Sequence, residues 1–366
     1  MIVISIIFII LCLFSIRVKE KIVGNRLYLD GYNIKNTNAI KGILAVSIIL
    51  SHITGRVNYT LPYINFSVMG SIGVGCFFFL SGYALVVSLR KRENYMEGFV
   101  SKRFTKILIP YLLMLICYII VICVIGKTAF TDVVISFVKG YPISNSWYVL
   151  ASMYCYFLFW VAFAKDKEMK RFSRGMAIIL IELVLYTIVV VGVFHWADWW
   201  YKTIICFPLG LYWGYSKEKI EKFLQNNYIK TLCVACIFFS IAYLFPGILR
   251  RIFNICGGDY IWLINDFLMG VSGTLLIGIL LYKISLSNFI TDFLGKISYE
   301  IYLFHGLVID ALISVVGKIT LTTHAQQELY SALVIVLTII IAVVFHKINI
   351  LVLKKLKSDV KKGEKQ

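Results

Sequence analysis

The chain has 366 residues, of which 60% are hydrophobic and only 15% are charged, and its mean hydropathy is +0.84. A soluble domain carries about 25% charged residues, so this composition excludes an ordinary soluble enzyme and indicates a polytopic membrane protein. The formal net charge is +18, but the basic residues fall in short clusters between apolar runs. This distribution is typical of membrane topology signals and argues against a nucleic-acid-binding protein.

Apolar runs of suitable length predict eleven candidate spans. In chain order they cover residues 1–16, 38–54, 70–89, 107–126, 147–164, 176–195, 201–215, 230–246, 261–282, 297–317 and 329–353. The first run lacks the basic start and the cleavage site of a signal peptide, so we expect a retained extra span. We therefore predict an all-α helical bundle of ten to eleven transmembrane helices, with one domain over residues 1–353 and a basic tail over 354–366.

Lysine and arginine concentrate in the connections after odd-numbered spans and in the C-terminal tail. The positive-inside rule places these segments in the cytoplasm. The C-terminus is then cytoplasmic and, because the number of spans is odd, the N-terminus lies outside. We expect a multi-pass protein of the cell membrane, in contact with membrane lipids.

One predicted span carries two ionisable side chains, Lys41 and His52. Their spacing along a helix corresponds to roughly 16 Å, about half the thickness of the hydrocarbon layer. If Lys41 lies at the cytoplasmic interface, His52 lies near the bilayer centre, where an ionisable group marks a candidate functional site. The alternative is a neutral structural histidine bonded to a neighbouring helix. The predicted topology puts Ser81, Tyr83 and His305 at a similar depth.

The fourth span begins with basic residues, and Arg103 and Lys106 share one helix face. Cations near the N-terminus of a helix suit phosphate groups, so one interpretation is a site for a phosphorylated ligand such as coenzyme A. Arg90 and Arg92, at the end of the third span, are further candidates for this site. The simpler alternative is an anchor that only fixes the topology.

Other polar groups inside predicted spans also have two interpretations. The run Gly73–Tyr83 is rich in small residues and aromatics. It suits either close helix packing or the wall of a substrate tunnel in which Ser81 and Tyr83 form hydrogen bonds. The carboxylates of Glu182, Glu300 and Asp310 are all candidates to orient a base histidine, and the sequence does not choose among them.

An aromatic cluster with one acid, residues 195–201, lies on the predicted outer side. An interfacial aromatic belt is one interpretation. The other is a platform for sugar rings, in which Trp199 stacks and Asp198 accepts hydrogen bonds from hydroxyl groups. Trp147, at the start of the fifth span, lies on the same side.

Four motifs, in this order along the chain, resemble the membrane-bound acyltransferase family 3, which includes bacterial O-acetyltransferases of surface polysaccharides and peptidoglycan. They are Lys41 with His52, the stretch Phe78–Tyr83, Arg103 with Lys106, and Ser298 with Tyr299, Tyr302 and His305. The chain departs from the family in two ways. Lysine replaces arginine at Lys41 and Lys106, which makes a phosphate contact less directional, and the first span is additional.

The resemblance implies an enzyme that moves an acyl group, most often acetyl, from cytoplasmic acyl-CoA to a sugar hydroxyl of a cell-surface polysaccharide or lipid-linked precursor. It implies acetyl-CoA as the donor substrate, with no permanently bound cofactor and no metal. The implied catalytic residues are His52, Ser81 and Tyr83; the implied acyl-CoA ligands are Lys41, Arg90, Arg103 and Lys106; the supporting residues are Tyr299, His305, Glu182 and Asp310; and the acceptor-side residues are Trp147, Asp198 and Trp199.

The alternative from another class is an exporter of a polysaccharide or a lipid-linked sugar. Intramembrane histidines and acids would then couple transport to protons. The sequence has no clear internal repeat and no pair of broken spans, which argues against this alternative.

Overall fold

The computed structural model describes residues 2–18, 31–56, 66–124, 129–140, 147–253, 259–316 and 323–363, and these are largely helical. The helices are α1 (Ile2–Ser15), α2 (Ile34–Arg56), α3 (Ser67–Lys91), α4 (Phe99–Val124), α5 (Phe130–Val138), α6 (Trp147–Phe163), α7 (Phe172–Gly192), α8 (Cys206–Tyr215), α9 (Lys217–Phe253), α10 (Asp259–Leu280), α11 (Phe289–Lys296), α12 (Ser298–Val316) and α13 (His324–Gly363). Two short antiparallel strands, β1 (Ile16–Val18) and β2 (Ile284–Leu286), join the end of α1 to the segment after α10.

Seven of the described helices are long and apolar enough to cross a membrane, or eight spans if the bent pair α11–α12 counts as one. The predicted all-α, polytopic membrane bundle is confirmed. The predicted count of eleven also includes α1, α6 and α8, which are shorter apolar helices, so that count stays a prediction.

The structure differs from the predicted spans at three places. Residues 201–205 form turns, so the predicted seventh span is the ten-residue helix α8. The predicted eighth span is part of the longer helix α9, which bends at Asn227, where φ is −125°. The predicted tenth span is α12, which follows the separate helix α11 at a bend of 75°. The predicted basic tail continues α13 as helix up to Gly363.

The outer surface of the bundle carries apolar side chains in helical stripes. On α4, Leu112, Ile116 and Ile120 recur every four residues and are 47%, 56% and 57% exposed. An apolar stripe of this kind is unfavourable in water and suited to lipid.

Close backbone contact between α3 and α8 forms the centre of the bundle. A Cβ atom at Gly82 would lie 2.9 Å from the backbone nitrogen of Leu211, and a Cβ atom at Gly210 would overlap the backbone of Phe79. Small residues allow membrane helices to approach this closely. This contact fixes the segment of α3 that carries Ser81 and Tyr83.

A second close contact joins α11 to the start of α2. A Cβ atom at Gly42 would lie 2.6 Å from the carbonyl oxygen of Thr291, and one at Gly295 would overlap the backbone of Asn38. Asn288 and Thr291 form a reciprocal capping box that fixes where α11 begins. Together these contacts set the direction in which the chain enters α12.

We expect Gly210→Ala to destabilise the protein by about 3 kcal/mol, the upper end of typical overpacking costs, because the new methyl group meets backbone that cannot move aside. Gly247→Ala in α9 is the matched control, since a Cβ atom there meets nothing within 4 Å and alanine favours helix over glycine by about 1 kcal/mol. The midpoint of thermal denaturation in detergent measures both. Equal midpoints for the two variants would contradict the close α3–α8 contact.

Candidate active site

His52 of α2 and His305 of α12 lie side by side inside the bundle. Their ring centroids are 5.0 Å apart, with 33° between the ring planes. His305 is completely buried, and its Nδ1 lies 2.6 Å from the carbonyl oxygen of Tyr302. Because a carbonyl only accepts hydrogen bonds, Nδ1 of neutral His305 carries the proton and Nε2 carries the lone pair. We call His52 and His305 the histidine pair.

Two tyrosines of α6 connect the histidine pair with Ser81. The hydroxyl group of Tyr156 donates to Oγ of Ser81 at 3.2 Å, and the hydroxyl group of Tyr148 also lies near Ser81. The ring of Tyr148 lies 5.4 Å from that of Tyr302, which in turn lies 5.5 Å from the ring of His305. We call Tyr148, Tyr156 and Tyr302 the tyrosine line. It supplies hydroxyl groups between Ser81 and the histidines.

Two adjoining cavities open at the end of the bundle where α3 ends and α4 begins. Their volumes are about 490 Å³ and about 520 Å³, and both are lined by Ser88 and Arg92. We call the two together the cationic basin, after its charged lining residues: Lys41, Lys91, Arg92, Lys102, Arg103, Lys106 and Lys217. Among the described residues that line it there is no aspartate or glutamate. A concentration of one charge in a cleft attracts a ligand of opposite charge.

Arg103 joins the cationic basin to the tyrosine line. Its guanidinium group donates to the hydroxyl group of Tyr95 and lies 5.9 Å from the ring centroids of Phe99 and Tyr156. The ammonium group of Lys41 is close enough to Arg103 for the two charges to repel each other. An anion bound between these cations would relieve that repulsion.

Tyr83 lies in the wall of the cationic basin. Its ring centroid is 4.5 Å from that of Tyr32, whose hydroxyl group donates to the carbonyl oxygen of Gly278 at 2.9 Å. Burial raises the pKa of Tyr32 well above its ordinary value, so this residue stays a neutral donor. Tyr83 therefore lines the cationic basin, and its role as a catalytic residue stays a prediction.

The cations predicted from the sequence divide into two groups. Lys41, Arg103 and Lys106 all line the cationic basin. Arg90 instead donates to the carbonyl oxygen of Tyr215 at 2.9 Å and covers the ring of Tyr215 at 4.7 Å. It joins α3 to α8, and the arginine that lines both cavities is Arg92.

The intramembrane carboxylates have partners on neighbouring helices. The hydroxyl group of Tyr154 donates to Glu182 at 3.4 Å, and that of Tyr118 donates to Asp310 at 2.9 Å. These bonds join α6 to α7 and α4 to α12. Neither hydrogen bond involves a member of the histidine pair. These bonds therefore do not place Glu182 or Asp310 against His52.

Two further contacts position α12. The hydroxyl group of Tyr299 donates to the carbonyl oxygen of Ile107 at 2.8 Å, close to Pro110, which interrupts the backbone hydrogen bonds of α4. At the same end of α12, Nδ1 of His346 lies 2.8 Å from Oε1 of Glu300, which is buried. Tyr299 thus supports the site by holding α12 against α4.

The predicted acceptor-side residues lie in an aromatic cluster at the opposite end of α8 from the cationic basin: Trp147, Asp198 and Trp199. The ring of Trp147 lies 6.2 Å from that of Tyr148 and 6.3 Å from that of Trp200. The cluster therefore contacts the tyrosine line. Asp198 accepts a hydrogen bond from Lys202 at 3.1 Å.

Tyr148 and Tyr156 were not among the predicted functional residues. The available signal was their spacing, because Tyr148, Ser152 and Tyr156 recur every four residues and share one face of α6. A stripe of hydroxyl-bearing side chains within an apolar helix predicts a polar contact inside the bundle. Arg92 was a candidate beside Arg90, and it is Arg92 that lines both cavities.

The model of acyltransferase family 3, described as an acyltransferase domain, matches residues 34–347. No curated protein and no solved structure matches the chain. The family match begins with α2, continues into α13, and includes the histidine pair, the tyrosine line and the cationic basin. Because the match covers most of the chain, the protein belongs to acyltransferase family 3 and is a membrane acyltransferase.

Proposed function

We propose that this acyltransferase moves an acetyl group from acetyl-CoA to a sugar hydroxyl group of a cell-surface polysaccharide or of its lipid-linked precursor. The observation that carries the proposal is one connected line of side chains. It begins at the cationic basin, passes through Arg103 and Ser81, and ends at the histidine pair. One end of this line suits a polyanionic donor, and the other end suits a general base.

The cationic basin is the proposed donor site. The nucleotide part of coenzyme A carries several phosphate groups, and lysine and arginine hold such groups through charge-assisted hydrogen bonds. Arg92 lines both cavities and Lys41 is close to Arg103, so one extended ligand can contact both. The thioester arm then follows Tyr83 and Tyr156 towards Ser81.

The proposed reaction needs a base, a path for one proton and donors to an oxyanion. His52 takes the proton from the acceptor hydroxyl group while the hydroxyl oxygen attacks the thioester carbon. Ser81 donates to the carbonyl oxygen as it becomes negatively charged, and Tyr156 keeps its hydrogen bond to Ser81 and so orients that donor. The C–S bond then breaks, and the thiolate of coenzyme A takes the proton back from His52. His305 stabilises the protonated His52 through the lone pair on Nε2.

The proposal also gives the orientation in the cell membrane. Acyl-CoA is a cytoplasmic metabolite, so the cationic basin faces the cytoplasm together with the C-terminus. The aromatic cluster around Trp147 and Trp200 and the N-terminus then lie on the outer side. The distribution of lysine and arginine along the sequence supports the same orientation.

We expect Arg92→Gln to weaken the binding of coenzyme A about tenfold or more, since one hydrogen bond to a charged group contributes about 1.5–3 kcal/mol. Arg90→Gln, which removes the contact with Tyr215, should change the affinity less than about twofold. Arg174→Gln, at the start of α7, is the matched control for net charge. Titration calorimetry of the purified protein with coenzyme A measures all three. A larger loss for Arg90→Gln than for Arg92→Gln would contradict the assigned basin.

We expect His52→Ala to lower acetyl transfer about 10²–10⁴-fold, the usual contribution of a general base, while the affinity for coenzyme A stays within about twofold. His305→Asn keeps a donor near the carbonyl group of Tyr302 but removes the second imidazole, and should also lose most of the transfer. His324→Gln, at the start of α13, is the matched histidine control.

The assay counts radiolabelled acetyl groups on envelope glycans and the coenzyme A that is released. Full transfer by a correctly inserted His52→Ala variant would contradict the proposed base. Wild-type protein that releases no coenzyme A in the presence of envelope glycans would instead favour the exporter.

A further inference from the structure

Lys202 lies at the centre of an ionic contact on the face opposite the cationic basin. Its ammonium group is 3.1 Å from Asp198, in the short 3₁₀ helix Asp198–Trp200, and 2.5 Å from Asp266 of α10. The three side chains are 15%, 32% and 25% exposed, so ligand atoms can reach them. Burial opposes the charge on Lys202, but the carboxylates of Asp266 and Asp198 outweigh it and raise the pKa of Lys202.

Two buried polar side chains flank this contact without a hydrogen-bond partner among the described residues. They are Thr203, next to Lys202, and Asn265, next to Asp266; the atoms concerned are Oγ1 and Oδ1. Thr203 is 2% exposed and Asn265 is 4% exposed. A buried polar atom without a partner is unfavourable for the folded state, and in native proteins it usually has a functional explanation or a bound molecule.

Thr203 and Asn265 belong to one small region. The methyl carbon of Thr203 would lie 3.1 Å from a Cβ atom at Gly270. Five residues of helix, or about 7.5 Å, separate Gly270 from Asn265. The methyl group packs on α10, which leaves Oγ1 pointing away from that contact. We call Lys202, Thr203, Asn265 and Asp266 the outer polar cluster.

The outer polar cluster adjoins the aromatic side chains that lead to the tyrosine line. Trp200 lies two residues before Lys202, and its ring is 6.3 Å from that of Trp147 and 4.5 Å from that of Trp196. A sugar presents apolar ring faces and a rim of hydroxyl groups. Aromatic rings with a few convergent donors and acceptors complement such a ligand.

We propose that the outer polar cluster binds hydroxyl groups of the acceptor sugar. Asn265 Oδ1 and the Asp266 carboxylate accept hydrogen bonds from sugar hydroxyls, Lys202 donates to sugar oxygens, and Thr203 does either. This inference rests on the proposed function and names its acceptor site. A polysaccharide and a lipid-linked sugar share this chemistry, so the test includes both sources.

The test uses Asn265→Leu and Thr203→Val in the full-length protein. Both remove an unpartnered polar atom at nearly constant volume, so neither should lower the midpoint of thermal denaturation. Thr338→Val is the matched control, because Thr338 of α13 is also completely buried and its Oγ1 also lacks a partner among the described residues. Acetyl transfer is measured against the concentration of envelope polysaccharide and, in parallel, of envelope lipid extract.

We expect the KM for the acceptor to rise about five- to tenfold in Asn265→Leu and Thr203→Val, the change expected when a hydrogen bond to a ligand is lost. The KM for acetyl-CoA should stay within about twofold, and Thr338→Val should match the wild type. If the KM rises for only one of the two acceptor sources, the outer polar cluster binds the acceptor from that source. Unchanged acceptor KM values for both sources, with normal wild-type transfer, would overturn the inference. The outer polar cluster would then only stabilise the contact between the 3₁₀ helix and α10.

Retention on immobilised envelope polysaccharide separates this inference from the proposed function. If the wild type transfers no acetyl group, the proposed function fails. Weaker retention of Thr203→Val than of Thr338→Val would still support a sugar site. Equal retention of these two variants, in a protein without transfer, would overturn the sugar site as well.

Discussion

The candidate site depends on the backbone contact between α11 and the start of α2. Neither Gly42 nor Gly295 has room for a side chain there, because the backbone of the other helix occupies the space. The 75° bend after α11 then directs α12 back along α2, so that His305 comes within 5.0 Å of His52, ring to ring. Lys41 precedes Gly42, so the same contact also fixes the distance between the cationic basin and the histidine pair.

The low dielectric inside a bilayer explains how the carboxylates are used. An ionisable or polar group in this setting needs a partner, and the hydroxyl groups of Tyr118 and Tyr154 supply one to Asp310 and Glu182. These bonds tie pairs of helices together. The backbone carbonyl of Tyr302 fixes the tautomer of His305 instead, a role for which a carboxylate was expected.

The sequence predicted positions along a helix better than contacts between helices. Lys41 and His52 lie on the same helix, α2, as their spacing in one apolar run predicts, and their depth in the membrane stays a prediction. Which helices touch depends on their packing, which hydrophobic periodicity does not encode. The contact of Ser81 with Tyr156 was therefore missed. At a helix end, two residues turn a side chain by about 200°, so Arg90 and Arg92 could not be told apart.

Tyr148 lies between the side chains that lead to the outer polar cluster and those that lead to the cationic basin. Its ring packs against that of Trp147 on the side of the outer polar cluster. Its hydroxyl group lies near Ser81, which Tyr156 links to Arg103 on the side of the cationic basin. The ring of Phe78 packs against Tyr148 at 4.7 Å and fills the space between α3 and α6. On the proposed function, the acyl donor and the acceptor sugar approach from opposite ends of the bundle and meet beside the closely packed ring of Tyr148. On that proposal only the acyl group has to pass this point, so the proposed transfer requires no open channel for either substrate.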